Sequence, residues 1–267
     1  VCIYILTKTT QGSLSALAFA FSAIPCLFLL IVSIIVYQTK SYKDVAPSLY
    51  GIRFSLTRSI VGLGGQFFVI MVSMLFVFQF VNIILSRLQG PEAVTQYNIT
   101  YKYFNVLNMI VNIVLNPFWS AFTDAYIKKD YDWMRSVLNK LEKMWLLCIP
   151  VLLLMLVSSN FLYKLWIGDS VIISFSLSVC MAIYVLCQTG GNIYMYLING
   201  TSKVRLQLIV YLLFALISLP LIEYCCKYCG IEGVLIVPAV AFVLQACIGR
   251  IQILKMINGT AKGIWLK

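Results

Sequence analysis

Long apolar runs recur along this chain and constrain its fold more than any other feature of the sequence. A helix needs roughly 20 mostly apolar residues to cross a bilayer, and seven segments meet this requirement. Their approximate limits are 14–37, 66–86, 101–121, 144–163, 171–197, 205–223 and 232–254. The runs are continuous and lack the strict alternation of barrel strands. The sequence therefore predicts an all-α integral membrane protein with about seven transmembrane helices.

Composition agrees with this fold class. Hydrophobic residues make up 61% of the 267 residues and charged residues 11%, unlike a soluble globular domain. The net charge of +11 comes from basic residues in the gaps between apolar runs, not from a patch of the kind that binds nucleic acid. The chain has no histidine, which removes histidine general bases and most zinc sites. We expect no enzymatic activity, no metal, no cofactor and no nucleic-acid partner.

The distribution of Lys and Arg predicts the orientation of the helices. Fifteen of the 20 basic residues fall in four alternate segments, at 38–65, 122–143, 203–205 and 250–267, and the other five fall on the opposite side. Basic residues are concentrated in the cytoplasmic loops of membrane proteins. We predict that these four segments, and with them the C-terminal end of the chain, are cytoplasmic.

The cytoplasmic segment 124–143 has a helical pattern of its own. Tyr131, Met134, Leu138 and Leu141 recur at helical spacing among charged residues. This pattern is typical of an amphipathic helix on the membrane surface. Polar extensions of the two neighbouring spans explain it equally well, so the sequence leaves both interpretations open.

Carboxylates are few, and the sequence places none of them clearly in mid-membrane. All nine are predicted in loops or at loop edges, with Glu142 in the loop that begins at residue 122. An ion-coupled transporter ordinarily has a carboxylate within the membrane. Asp124 is the one candidate we would test, and a local ion pair with Lys128 is the stronger interpretation.

One face of the third predicted span is polar. Its members at 100° per residue are Asn98, Tyr101, Asn105, Asn108, Asn112, Asn116 and Trp119, whereas Leu107, Ile110 and Val114 fall on the opposite face. A buried amide without a partner costs roughly 1–3 kcal/mol, so these amides must meet other helices or a wet cavity. Either polar helix packing or one wall of a substrate path explains the pattern.

The segment 82–143 is the most distinctive part of the sequence. A Gly-Pro-Glu turn is followed by Tyr-Asn and Tyr-Lys pairs, then by Pro-Phe-Trp-Ser, an acidic residue and Ala-Tyr. The residues that carry these motifs are Gly90, Pro91, Glu92, Val94, Tyr97, Asn98, Tyr101, Lys102, Pro117, Trp119, Ser120, Asp124, Ala125 and Tyr126. Residues 165–168, 198–200 and 263–265 add shorter motifs. From about residue 50 onward the chain resembles the polysaccharide transporters, the O-antigen repeat-unit flippases of the MATE-like MOP superfamily.

This resemblance implies a fold of about twelve spans in two six-helix bundles. Residues 1–37 would be the end of the N-terminal bundle, with its last helix at about 14–37. Residues 38–65 would be a cytoplasmic linker, and residues 66–267 the C-terminal six-helix bundle. The short apolar run at residues 1–6 is interpreted as the end of a cut helix, so five further helices are expected to precede this sequence.

The cargo that the resemblance implies is an oligosaccharide on a polyprenyl diphosphate. It would be moved from the cytoplasmic to the outer leaflet of the bacterial inner membrane for O-antigen, lipopolysaccharide or capsule assembly. Cations suit the diphosphate, amides suit hydroxyl groups and aromatic faces suit sugar rings. The predicted substrate-binding residues are Arg58, Asn82, Arg87, Asn98, Tyr101, Lys102, Asn105, Asn108, Asn112, Asn116 and Trp119. The expected partners are this cargo, membrane lipids and the polysaccharide polymerase machinery.

Two other functions stay open. A drug or metabolite exporter of the same superfamily would share the fold and have a smaller, more apolar cavity. A membrane-embedded polysaccharide polymerase or glycosyltransferase would need a sizeable loop or domain with catalytic groups, whereas the predicted external loops are short.

Three cysteines, Cys225, Cys226 and Cys229, lie beside a predicted external turn. A disulfide would suit an oxidising compartment, and small thiols packed in the protein are the alternative. The sequence does not decide between them.

Overall fold

The computed structural model of the protein describes residues 14–39, 42–47, 57–168 and 171–266, and all regular structure in them is helical. The seven α-helices are α1 (Leu14–Gln38), α2 (Thr57–Leu88), α3 (Pro91–Lys128), α4 (Tyr131–Ile167), α5 (Phe175–Thr201), α6 (Arg205–Cys229) and α7 (Gly233–Ile257). Short 3₁₀ helices occupy Lys43–Val45, Gly230–Glu232 and Gly263–Leu266. The prediction of an all-α chain is confirmed for the described residues.

Six stretches of the described residues are long and apolar enough to cross a membrane. They are Phe21–Gln38, Gly64–Leu88, Pro91–Lys128, Tyr131–Ile167, Phe175–Thr201 and Arg205–Ile257. The last stretch has 53 residues and contains both α6 and α7. Each of these two helices has 25 residues, about 37 Å at 1.5 Å per residue. Each of the seven predicted spans therefore coincides with an α-helix. Length and composition give six stretches because they join α6 and α7 into one.

The helices belong to two compact units, residues 1–58 and 59–267. In the first unit, α1 is an apolar helix whose described side chains are almost all exposed. The second unit contains α3 to α7 and nearly all of α2. Its core is made of buried aliphatic and aromatic side chains from every one of these helices.

The centre of the second unit is α5, most of whose residues are buried. Two neighbouring glycines allow other helices to approach it closely. A Cβ atom at Gly190 would lie 3.0 Å from Nε1 of Trp145 in α4, and one at Gly191 would lie 3.1 Å from the carbonyl oxygen of Phe242 in α7. Small residues at helix contacts permit such close packing.

Side-chain contacts show that neighbouring helices in this unit alternate in direction. Tyr163 near the end of α4 contacts Ser178 near the start of α5, and Arg135 near the start of α4 contacts Asn258 just after α7. We call the end with the α3–α4 turn, the α5–α6 loop and the residues after α7 the basic end, and the opposite end the distal end. The segments predicted to be basic at 122–143, 203–205 and 250–267 contribute to the same end of the unit.

The segment 124–143 does not form a helix of its own. Lys129 adopts a left-handed conformation that ends α3, and the Asp130 carboxylate accepts a hydrogen bond from the Trp133 backbone N–H at 3.1 Å, which caps α4. Met134 and Leu138 are buried among neighbouring helices. The interpretation as polar extensions of two spans is confirmed, and the surface-helix interpretation is wrong.

Glu142 lies inside α4, so its predicted place in a loop is wrong, because α4 already begins at Tyr131. Its Oε1 accepts hydrogen bonds from Arg250 Nε at 2.9 Å and from the Tyr194 hydroxyl at 2.8 Å. Arg250, which was predicted in the C-terminal basic segment, lies inside α7. This cluster joins α4, α5 and α7 toward the basic end.

Two smaller predictions have clear outcomes. Asp124 Oδ2 accepts a hydrogen bond from Lys128 Nζ at 2.7 Å, which confirms the local ion pair. Cys225, Cys226 and Cys229 carry free thiols, and Cys226 is buried at the end of α6.

Candidate functional site

The polar face of α3 lies at the border between the buried and exposed sides of this helix. Asn108 is buried, Asn98, Tyr101, Asn105 and Asn112 are half-buried, and Asn116 and Trp119 are exposed. The opposite face is mixed, since Leu107 is buried and Ile110 and Val114 are exposed. This polar face of α3, from Asn98 to Trp119, is called the stripe. It begins inside the bundle and reaches the surface of the bundle toward the basic end.

Asn192 of α5 contacts the middle of this stripe. Its Nδ2 donates to Asn108 Oδ1 at 3.0 Å and to Asn112 Oδ1 at 3.1 Å. Asn108 Nδ2 donates in turn to Asn105 Oδ1 at 3.0 Å. These four residues, the amide ladder, satisfy one another where water is scarce. Helix packing is thus the role that the structure gives to Asn108.

Asn98 connects the stripe to α2 toward the distal end. Its Nδ2 donates to Asn82 Oδ1 at 3.0 Å and to the Val94 carbonyl at 2.8 Å. One turn further along α3, the Tyr101 ring stacks on Tyr97 with a centroid separation of 6.2 Å and an interplanar angle of 8°. Asn82 and Asn98 are therefore in contact, and Tyr101 lies one turn further along α3.

Two polar atoms on α5 are buried beside this part of α3 without a hydrogen-bond partner among the described residues, Gln188 Oε1 and the Tyr184 hydroxyl. The Gln188 side chain interacts with the Tyr101 hydroxyl. Buried polar atoms are normally paired with protein groups or with ordered water. These two groups of α5 can therefore form further hydrogen bonds on the distal side of the amide ladder.

Phe67, Trp119 and Tyr196 form an aromatic cluster at the other end of the stripe. The Trp119 ring lies 6.0 Å from Phe67 of α2 and 5.9 Å from Tyr196 of α5, between ring centroids. Trp119 remains 36% exposed, and Asn116 is exposed one turn before it. A partly exposed indole beside an exposed amide offers an apolar face and hydrogen-bonding groups at one place.

Two of the predicted cations, Arg87 and Lys102, lie away from the stripe. Arg87 Nη2 lies 3.3 Å from Glu223 Oε1 of α6, with 74% of the arginine side chain exposed. Lys102 is exposed on the side of α3 that also carries exposed apolar residues. Arg58 lies in the first turn of α2, and its side chain is outside the described residues. In the described part of the chain, the stripe is thus made of neutral groups.

Sequence reasoning missed the contribution of α5. Tyr184, Gln188, Asn192 and Tyr196 are spaced four residues apart and so share one face of this helix. All four contact or border the stripe on α3. This i, i+4 pattern was visible in the sequence, and matching it with the stripe would have identified the pair of helices.

The chemistry of this arrangement is binding. Amides donate and accept hydrogen bonds, and aromatic rings offer apolar faces, and neither group exchanges protons readily at neutral pH. Such groups suit a hydroxyl-rich ligand that undergoes no covalent change.

No protein-family model, no curated protein and no solved structure matches the chain.

Proposed function

We propose that the protein is part of a flippase for lipid-linked oligosaccharides. It would move a polyprenyl-diphosphate-linked repeat unit from the cytoplasmic to the outer leaflet of a bacterial inner membrane, for O-antigen or capsule assembly. The observation that carries this proposal is the surface formed by Trp119, Asn116 and the outer edge of the amide ladder. It combines an exposed indole with amide groups on helices of membrane-spanning length, and these are the groups that we expect a sugar to contact.

Exposed amides within an apolar helix need a polar environment. Asn116 lies in the second half of α3, flanked by the exposed residues Ile113 and Pro117, and has no hydrogen-bond partner among the described residues. Hydrocarbon would leave this amide unsatisfied, at a cost of several kcal/mol. A water-filled path or a second helical bundle removes this penalty, and a flippase provides both.

The aromatic cluster supplies the second type of contact that a sugar needs. Trp119 presents part of its indole between Phe67 and Tyr196. Both neighbours hold this ring in position, which lowers the entropy that binding would otherwise cost. The cluster lies toward the basic end, which the Lys and Arg distribution predicts to be cytoplasmic. A lipid-linked sugar arriving from the cytoplasmic leaflet would meet this surface first.

A drug or metabolite exporter is the second candidate, because one observation favours it. An apolar cavity of about 490 Å³ lies between α2, α6 and α7, which is within the usual volume range of small-molecule sites. Such sites normally also present a few free polar groups that orient the ligand. The polar side chains that line this cavity already donate hydrogen bonds within the protein. This favours the flippase over the exporter.

The test is export of polysaccharide by the full-length protein in a deletion strain. We expect Trp119→Leu to reduce surface polysaccharide strongly at an unchanged protein level, because it removes the sugar-binding face and retains apolar volume. Trp166→Leu is the matched control, since Trp166 in α4 is also exposed and lies at the distal end. Trp119→Phe should retain part of the export that Trp119→Leu loses, because it keeps an aromatic ring.

Wild-type export by Trp119→Leu at a wild-type protein level would refute the proposed role of this surface. Resistance of the cells to toxic compounds should be measured in parallel. If Trp119→Leu lowers resistance and leaves polysaccharide unchanged, the exporter is the correct function.

A further inference from the structure

The apolar cavity between α2, α6 and α7 is a site in its own right. Its walls include Met74 and Val77 of α2, Phe214 and Ile217 of α6, and Ala241 of α7. The volume of about 490 Å³ is open to the surface of the bundle, since Leu213, Val240 and Leu244 of its lining are more than half exposed. An apolar space of this size within membrane-length helices is suited to hydrocarbon and not to water.

Contacts near the two ends of α2 lie on either side of the cavity along this helix. At the distal end, Arg87 pairs with Glu223 at 3.3 Å, and Gln89 Nε2 donates to the Cys226 carbonyl at 3.4 Å. Toward the basic end, Phe67 packs on the Trp119 ring of α3. Between these contacts, the middle of α2 faces α6 and α7 across the open volume. The cavity therefore lies at the mid-depth of the helices, where a lipid chain would be.

The lining favours a ligand without polar groups. Ser73 Oγ donates to the carbonyl of Val69 at 2.8 Å, and the Tyr211 hydroxyl donates to the Gln245 side chain. Gln245 Nε2 donates to the Gly191 carbonyl at 2.9 Å. Each polar side chain of the lining thus already makes a hydrogen bond within the protein, and the remaining surface is apolar. A pure hydrocarbon chain fits this surface better than a polar small molecule.

The cavity lies less than two helical turns along α2 from the proposed sugar-binding surface. Phe67 of the aromatic cluster and Ser73 of the cavity are both in α2, about 9 Å apart along the axis at 1.5 Å per residue. A molecule that joins a sugar to a long hydrocarbon chain could contact both sites at once. An ordinary phospholipid would fill only the cavity.

We propose that this cavity binds the hydrocarbon chain of a polyprenyl lipid while its sugar contacts the aromatic cluster, an inference that rests on the proposed function. The cavity then holds part of the polyprenyl chain against the protein instead of leaving all of it in bulk lipid. This contact selects polyprenyl cargo by its tail, independently of the sugar.

The test is photocrosslinking of the unaltered full-length protein in vesicles of phosphatidylethanolamine and phosphatidylglycerol. The probe is a polyprenyl phosphate with a diazirine near the free end of its chain. We expect mass spectrometry to find labelled residues in 210–221 and 236–248. Excess unlabelled polyprenyl phosphate should reduce this labelling about tenfold, whereas added phosphatidylglycerol should not. Equal competition by phosphatidylglycerol, or labelling only outside the cavity, overturns the proposal.

Ala241→Trp tests the position of the chain, because the indole would fill the cavity. We expect it to abolish labelling of the lining, whereas Val243→Trp, at an exposed position of α7 outside the cavity, should keep it. Unchanged labelling in a folded Ala241→Trp protein overturns the proposal. The competition experiment uses unaltered protein, so it decides the question even if this variant does not fold.

The two proposals fail in different ways. Competed labelling of the cavity together with full export by Trp119→Leu would refute the sugar-binding surface and leave the lipid site standing. Loss of export in Trp119→Leu without labelling of the cavity would refute the lipid site and leave the sugar-binding surface standing.

Discussion

At the scale of single residues, similar asparagines on one face of α3 have different environments. Asn108 and Asn192 bond each other inside the bundle at 3.0 Å, whereas Asn116 is exposed on the same stripe. Position along the helix, and not residue type, decides whether an amide of the stripe is paired inside the bundle or exposed. The difference arises because α5 covers the middle of the stripe and leaves its end open.

Asn192→Leu should therefore destabilise the protein, because it leaves the amide oxygens of Asn108 and Asn112 without their donor. Each unpaired buried group costs about 1–3 kcal/mol, measured as a lower midpoint of thermal unfolding in detergent. Asn116→Leu should change stability by less than about 0.5 kcal/mol and should reduce polysaccharide export.

A double variant separates pairing from other effects of these substitutions. Asn108→Leu combined with Asn192→Leu removes both partners, so its destabilisation should be smaller than the sum of the single effects. Strict additivity would mean that the hydrogen bond between these two amides contributes little to stability.

At the scale of helices, glycine determines how closely α5 and α7 pack. A Cβ atom at Gly249 would lie 2.6 Å from the Tyr194 Cβ. The Tyr194 hydroxyl is held by Glu142, which also binds Arg250. The tyrosine therefore cannot move aside without breaking a contact that joins three helices.

We expect Gly249→Val to lower the free energy of unfolding by about 1–3 kcal/mol through overpacking, as measured by thermal unfolding in detergent. Gly64→Val in α2 is the matched control, because no described residue lies within 4 Å of a Cβ atom at that position. A Gly249→Val protein as stable as the control would show that α7 can shift away from α5 at little cost.

At the scale of the whole molecule, the alternation of α2 to α7 gives a testable topology. Reporter fusions after Lys129 and after Gly259 should behave as cytoplasmic, and fusions after Gln89 and after Gly230 as external. The reason is that the basic end collects three of the four segments rich in Lys and Arg, which membranes retain in the cytoplasm. A cytoplasmic signal after Gly230 would mean that α6 and α7 do not cross as two separate spans.

The sequence by itself determined the helices of this protein. Apolar runs of membrane length predicted each α-helix that the structure describes, because the backbone in hydrocarbon must satisfy its own hydrogen bonds. Helical periodicity also placed Asn98 through Trp119 on one face of α3, since it depends only on local geometry. The Asp124–Lys128 pair was predictable for the same reason.

Only the tertiary structure decided what those faces contact. Asn192 lies 80 or more residues from its partners in α3, and Glu142 lies 108 residues from Arg250, so no local pattern specifies either contact. The cavity beside α2 likewise depends on where three distant helices meet. Whether a polar side chain is paired or exposed depends on which helix lies against it. The arrangement of the helices exists only in the folded bundle.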